Sequence, residues 1–162
     1  MSLLDPLRAG VSLGICLGIF ATAAGAGSSA PGNPFGSVGA AYLVKVDGRE
    51  VWARNPDRRL PPGSLTKMMT ALIVIERAGL GQVATVSEAA SRETGTRLGL
   101  SPGDRMLVVD LLAATLLGSA NDACHALADH VAGSAEKFVS RMNARAKEMG
   151  LAGTRSAHGS GH

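Results

Sequence analysis

Ser64 and Lys67 are the residues of this 162-residue chain whose types and spacing point most directly to chemistry. They stand in the run Pro61-Pro62-Gly63-Ser64-Leu65-Thr66-Lys67-Met68-Met69-Thr70-Ala71. Residues three apart on a helix share a face, so a primary amine at 67 reaches the hydroxyl at 64. A serine hydroxyl is a weak nucleophile until a base stands beside it. A lysine serves as that base when burial or a neighbouring cation lowers its pKa towards neutrality. Ser-x-x-Lys alone is a cheap pattern, and the chain repeats it at Ser134-Ala135-Glu136-Lys137. There Ser134 follows Gly133 and opens a helix whose polar face carries Glu136 and Lys137, so a helix cap accounts for it. The first copy opens a run that is apolar on nearly every side, where a lysine is a costly guest without a task.

The second polar group is Ser119-Ala120-Asn121, between two apolar helical runs. A hydroxyl and an amide in such a break can bond Lys67 and present an amide to a peptide-like ligand. Taken by itself the tripeptide reads first as an ordinary helix-to-helix turn with an Asn cap.

Several elements must position these groups. Residues 40–46 read as a strand ending at Asp47-Gly48, a strong hairpin signal, and residues 49–54 return with alternating character. Val51 and Ala53 face one way; Glu50, Trp52 and Arg54 face the other. A loop with Pro56, Pro61 and Pro62 leads into a helix from Ser64 to about Ala78, with Gly79 as its stop. Its all-round apolar middle predicts burial at the centre of the domain. Residues 83–86 predict a short strand, Ser87 a cap, and residues 108–117 a second apolar helix that breaks at Gly118. A third helix runs from Asp122 to Ala132, capped by Asn121 or Asp122, and a fourth from Ser134 to Gly150.

Hydrophobic residues make up 46% of the chain and aromatics only 3%, enough for one core built from aliphatic side chains. The net charge is +3, and Arg54, Arg58 and Arg59 form the one dense basic spot, with no aromatics among them, which excludes a nucleic-acid groove. Arg8, the apolar run 9–24 and Ala24-Gly25-Ala26 together predict a cleaved secretory signal peptide over residues 1–26, followed by a Gly/Ser/Pro linker over 27–36. The run is too short and too rich in glycine for a comfortable membrane span, so no stable anchor remains after cleavage. Cys16 falls in the signal peptide, which leaves Cys124 alone and rules out an internal disulfide; a small buried side chain is its expected role.

Ser64-Leu65-Thr66-Lys67 together with Ser119-Ala120-Asn121 resembles the penicillin-binding proteins and serine β-lactamases, whose motifs are Ser-x-x-Lys, Ser-x-Asn and a later Lys-Thr-Gly. The likeness is greatest to the low-molecular-mass D-alanyl-D-alanine carboxypeptidases. It extends over Ala41-Tyr42-Leu43-Val44, Val109-Asp110-Leu111-Leu112, Gly118 to Ala123, Met142-Asn143, Glu148-Met149-Gly150-Leu151 and His158-Gly159. The resemblance implies an α+β, β-lactamase/transpeptidase-like fold with helices packed on an antiparallel sheet. It implies that Ser64 attacks the carbonyl between the two terminal D-alanines of a peptidoglycan stem peptide. Lys67 then takes the proton, Ser119 relays protons, Asn121 binds the substrate amide, and water releases the shortened peptide. Penicillins and other β-lactams acylate the same serine, and the reaction uses no metal or organic cofactor. The positive end of the helix that opens at Ser64 favours the developing oxyanion.

The chain departs from the family pattern in having no Lys-Thr-Gly. In the family that motif lies on a later strand, which supplies a positive charge and one oxyanion donor; losing one such donor costs on the order of a hundredfold or more in rate. Residues 37–162 are therefore expected to be the N-terminal portion of the catalytic domain, without its C-terminal strands, with the hairpin edge and central helix partly uncovered. His158-Gly159-Ser160-Gly161-His162 reads as a tail cut inside a motif, its two histidines lacking a third metal ligand. Three functional readings follow: an exported carboxypeptidase of the periplasm or cell-envelope exterior; a non-catalytic envelope protein that binds peptidoglycan; and a β-lactamase, disfavoured because no acidic residue is assignable to a deacylating water.

Overall fold

In the computed structural model, which describes residues 32–35 and 39–161, Asp47 and Gly48 form the expected turn with positive φ of 50° and 77°. That pair of left-handed residues matches the twist of the flanking strands. Strand β1 (Tyr42–Val46) and strand β2 (Arg49–Arg54) pair antiparallel, with Val44 opposite Trp52 and a bulge between Val44 and Lys45. Trp52, placed by alternation on the face opposite Val51 and Ala53, is half-buried like them, because Phe35 stacks edge-on against it at 5.5 Å. The hairpin belongs to one unit, which ends at Arg54, and the remaining elements to a second, which begins at Asn55. The signal peptide and most of the linker lie outside the described residues.

The second unit opens with a 3-10 turn (Gly63–Thr66) that runs directly into helix α1 (Lys67–Arg77). Strand β3 (Val83–Thr85) follows, then the short helix α2 (Glu88–Ser91), whose cap Ser87 accepts a hydrogen bond from the Ala90 N–H at 3.0 Å. Strand β4 (Arg105–Leu107) pairs antiparallel with β3 and leads without a loop into helix α3 (Val108–Leu117). Helix α4 (Asn121–Ala132) ends at Gly133, whose φ of 81° is the left-handed cap expected of glycine. Helix α5 (Ala135–Glu148) is capped by Ser134, which accepts from the Lys137 N–H. The second Ser-x-x-Lys is thus a helix cap.

The central helix is α4, not α1. It packs against α1, α2, α3, α5 and β3, and Ala123, Cys124, Ala126, Leu127 and Ala128 are all buried. Its small side chains let neighbouring backbones approach closely on several sides. Around it Phe138, Leu111, Leu127 and Met142 are fully enclosed, each contributing about 1.5–3 kcal/mol of burial. Helix α1 is buried on one face only. Lys67, Thr70, Ala71, Ile73 and Val74 turn inward, while Met68 (67% exposed) and Ile75 face outward. The reason is that α3, α4 and α5, the helices packed on α1, meet the stripe formed by every third and fourth residue.

Candidate active site

The 3-10 turn and α1 bring Ser64 and Lys67 together as their spacing predicts. Lys67 Nζ lies 3.1 Å from Ser64 Oγ, across the junction between the two helices. Ser64 is exposed, whereas Lys67 is 2% exposed. A buried ammonium or amine requires polar partners, and Lys67 has them: Asn121 Oδ1 at 2.8 Å and the Ser160 carbonyl at 3.1 Å.

The break between α3 and α4 supplies the next group. Gly118 closes α3, and Ser119 then adopts a left-handed φ of 55°, uncommon for a residue with a Cβ. That conformation costs on the order of 1 kcal/mol. It directs the Ser119 hydroxyl to Ser64, where Ser119 Oγ donates to Ser64 Oγ at 2.7 Å. Ser64 is therefore held between Ser119 and Lys67.

Asn121 is the first residue of α4 rather than its cap, and its side chain turns inward, 3% exposed. Its Oδ1 accepts from Lys67, while its Nδ2 donates to the Thr94 carbonyl at 2.6 Å. Its backbone N–H donates to the Thr96 carbonyl at 2.8 Å. Asp122 is no cap either. Its carboxylate, fully buried, accepts from the N–H groups of Leu98, Gly99, Leu100 and Ala123 at 2.8–3.0 Å. Burial pushes this carboxyl up, but the backbone bonds from Leu100, Leu98, Ala123 and Gly99 outweigh it and hold the group below its usual 3.8. Asn121 and Asp122 thus tie residues 94–100 to the start of α4. The same loop is braced at its root by His125, whose Nδ1 is 2.6 Å from Glu93 Oε1.

An open cleft of about 340 Å³ lies over this constellation, lined by Ser64, Lys67 and Ser119 together with Leu65, Met68 and Leu116. A larger cleft of about 750 Å³ lies beyond Ser160, between Glu93, His125, Glu136 and His158. Neither Ser64 nor Lys67 lines it, so the smaller cleft is the candidate active site. Among the described residues no group of three or more His, Cys, Asp or Glu is arranged to hold a metal.

Four contributors escape the motifs. The Ser160 carbonyl and the Thr94 carbonyl are backbone groups with no side-chain signature. Asp122 has the residue type of a helix cap, which hides its task. Thr70, one turn after Lys67, is fully buried and donates to the Gly159 carbonyl at 2.7 Å. The segment read as a cut tail is therefore docked against the site.

A family model described as D-alanyl-D-alanine carboxypeptidase, peptidase S11, matches residues 33–161. The D-alanyl-D-alanine carboxypeptidase DacF of Bacillus subtilis is 38% identical over 120 residues, which cover 70% of this chain and 31% of that protein. DacC of Escherichia coli, a D-alanyl-D-alanine carboxypeptidase, is 36% identical over 174 residues, covering 98% and 42%. The chain thus spans 31% and 42% of the length of these two relatives. Among solved structures, D-alanyl-D-alanine carboxypeptidase DacD from Francisella tularensis superposes with a TM-score of 0.67 at 28% identity, covering 75% of this chain and 33% of that one. Penicillin binding protein 6B from Escherichia coli gives a TM-score of 0.65 at 33% identity, covering 70% and 39%.

Proposed function

This chain belongs to the D-alanyl-D-alanine carboxypeptidase family, peptidase S11, and from that membership we propose that it carries the nucleophile, base and relay of a serine carboxypeptidase that trims peptidoglycan stem peptides. Its fold is the α+β fold of the penicillin-binding structures it resembles. Supporting the activity is one observation above the others: an exposed serine with a buried lysine at 3.1 Å and a second hydroxyl at 2.7 Å. A serine so placed has a base to receive its proton and a donor to steady its oxygen.

In this reading the Ser64 hydroxyl gives its proton to Lys67 as its oxygen attacks the carbonyl carbon of the penultimate D-alanine. The tetrahedral centre collapses with loss of the terminal D-alanine, whose amine takes up the proton passed through Ser119. Water then attacks the Ser64 ester, Lys67 accepts its proton, and the shortened peptide leaves with Ser64 restored. Asn121 orders Lys67 through Oδ1; it is buried behind the cleft, and it meets the substrate amide when its Nδ2 leaves the Thr94 carbonyl. Helix α1 begins at Lys67, so its positive end favours the oxyanion. β-Lactams form the same ester by ring opening. The apolar lining residues Leu65, Met68 and Leu116 suit the methyl groups of alanine and the β-lactam nucleus. The N-terminal pattern of Arg8, the apolar run 9–24 and Ala24-Gly25-Ala26 supports export and work at the cell envelope.

The test is release of D-alanine from a peptide ending in D-Ala-D-Ala, with Ser64→Ala as control. Release that Ser64→Ala abolishes supports the proposal. A folded chain that releases none, or that hydrolyses β-lactams rapidly while leaving the peptide intact, overturns it.

A further inference from the structure

Lys67 Nζ touches three oxygens, and one of them belongs to neither motif: the Ser160 carbonyl, at 3.1 Å. Ser160 sits in the segment after α5 and is 8% exposed. Two side chains hold that segment. Asn143 on α5 grips Ser156 with both ends of its amide: Nδ2 donates to the Ser156 carbonyl at 3.0 Å, and the Ser156 N–H donates to Oδ1 at 2.8 Å. Thr70 on α1 donates from Oγ1 to the Gly159 carbonyl at 2.7 Å. Beyond them Gly161, at φ 78°, packs so tightly on the carbonyl of Gly63 that an added Cβ would stand 1.9 Å from that oxygen. The segment therefore reaches the residue before Ser64 with no room for a side chain.

Resting on the acylation reading above, we propose that Thr70 and Asn143 are positioning residues that seat the Ser160 carbonyl on Lys67 and so aim the lysine's lone pair at Ser64. A neutral amine has two N–H groups and one lone pair. Asn121 Oδ1 and the Ser160 carbonyl can only accept, so between them they take both N–H groups. The lone pair is left for the one partner that can donate, the Ser64 hydroxyl, whose oxygen accepts from Ser119 at 2.7 Å. Without the Ser160 carbonyl, one N–H is free to swing to Ser64 Oγ and put a donor where the base is needed. Once Lys67 has taken the proton, its third N–H points back at the same oxygen. The same three oxygens serve both states, so the proton moves without rearrangement of heavy atoms.

The test compares Thr70→Val, Thr70→Ser and Asn143→Ala in the full chain, using a fluorescent penicillin and measuring the acylation rate constant separately from saturation. Thr70→Val keeps the volume and loses the donor; its rate is expected to fall about 10- to 100-fold with saturation unchanged, while Thr70→Ser stays within about twofold of wild type. A role in packing alone gives the reverse order. Asn143→Ala frees the other end of the segment and should fall like Thr70→Val, so it decides the matter if the valine variant does not fold. Wild-type rates in Thr70→Val and Asn143→Ala, or an equal fall in Thr70→Ser, overturn the proposal. Should the wild-type chain not acylate at all, the activity reading fails by itself, and the ¹⁵N resonance of Lys67 Nζ decides this one. A resonance displaced in Thr70→Val and restored in Thr70→Ser supports it, and one unchanged in Thr70→Val overturns it.

Discussion

Replacing Asp122 by Asn should destabilise the second unit more than any other single-atom exchange around the site. The carboxylate accepts at both oxygens, Leu98 and Ala123 on Oδ1 and Gly99 and Leu100 on Oδ2. An asparagine offers one acceptor end, so whichever way it turns, two backbone N–H groups face an NH₂. Hydrogen bonds to a charged group contribute roughly 1.5–3 kcal/mol each, so losing two sets a range of about 3–6 kcal/mol. Leu98 and Gly99 are exposed and can turn to water, which places the expected loss near the lower end, about 3 kcal/mol. At about 4 °C per kcal/mol, Tm falls by about 12 °C. Asp104→Asn is the control. Asp104 accepts from the Ser101 N–H at 2.8 Å in an exposed turn, and its loss should cost less than about 1 kcal/mol. Thermal melts and urea unfolding read both variants. The pH dependence carries its own check. The folded carboxyl lies below its ordinary 3.8, so its stabilisation is fully present above that value and is lost as pH falls below it through the depressed value. The gap between wild type and Asp122→Asn should therefore be flat from pH 7 to about 5 and shrink below about 4. An Asp122→Asn chain melting within about 2 °C of wild type refutes the reasoning, as does a gap that widens in acid.

Ser119→Gly separates the Ser119 hydroxyl from its backbone. Glycine adopts the φ of 55° freely, so stability should hold or rise by about 1 kcal/mol. Acylation should fall about 100-fold, because the 2.7 Å bond to Ser64 is lost; a Ser119→Gly chain that acylates at the wild-type rate contradicts the relay. Cys124 is free and buried, and burial pushes its thiol up to about 11. Its peptide should stay unmodified by iodoacetamide at pH 8 in the native chain and react once the chain is unfolded in guanidinium, as peptide mapping reads directly. Native alkylation at an unfolded-chain rate would show that α4 is not the enclosed central helix.

What the sequence made legible was what local signals encode. Asp47-Gly48 carries its hairpin turn, Ser87 and Ser134 carry their caps, and residues 108–117 form α3 over the expected span. Strand β4 was not legible, because three residues running directly into α3 owe their strand geometry to β3, not to their own pattern. The centrality of α4 was hidden for a related reason. Alanines carry little hydrophobic signal, yet their small size is what admits neighbours on several sides. Helix α1 has the stronger apolar signal but is covered on one face. In the site, Ser64 and Lys67 follow from helical spacing, and Ser119 and Asn121 from the break. The direction of Asn121, into the protein towards Lys67 and Thr94, depends on loop 94–100 and is not encoded in the tripeptide. Nor does any residue type announce a backbone carbonyl, so the Ser160 contact emerges only when α5 returns the chain to α1.

The central claim is that Ser64 is a nucleophile. Intact-mass and peptide mass spectrometry of the full chain after incubation with a fluorescent penicillin tests it most directly. One covalent adduct is expected, located on the peptide containing Ser64, absent in Ser64→Ala and strongly reduced in Lys67→Ala. A folded chain that forms no adduct, or an adduct that persists in Ser64→Ala, would contradict it.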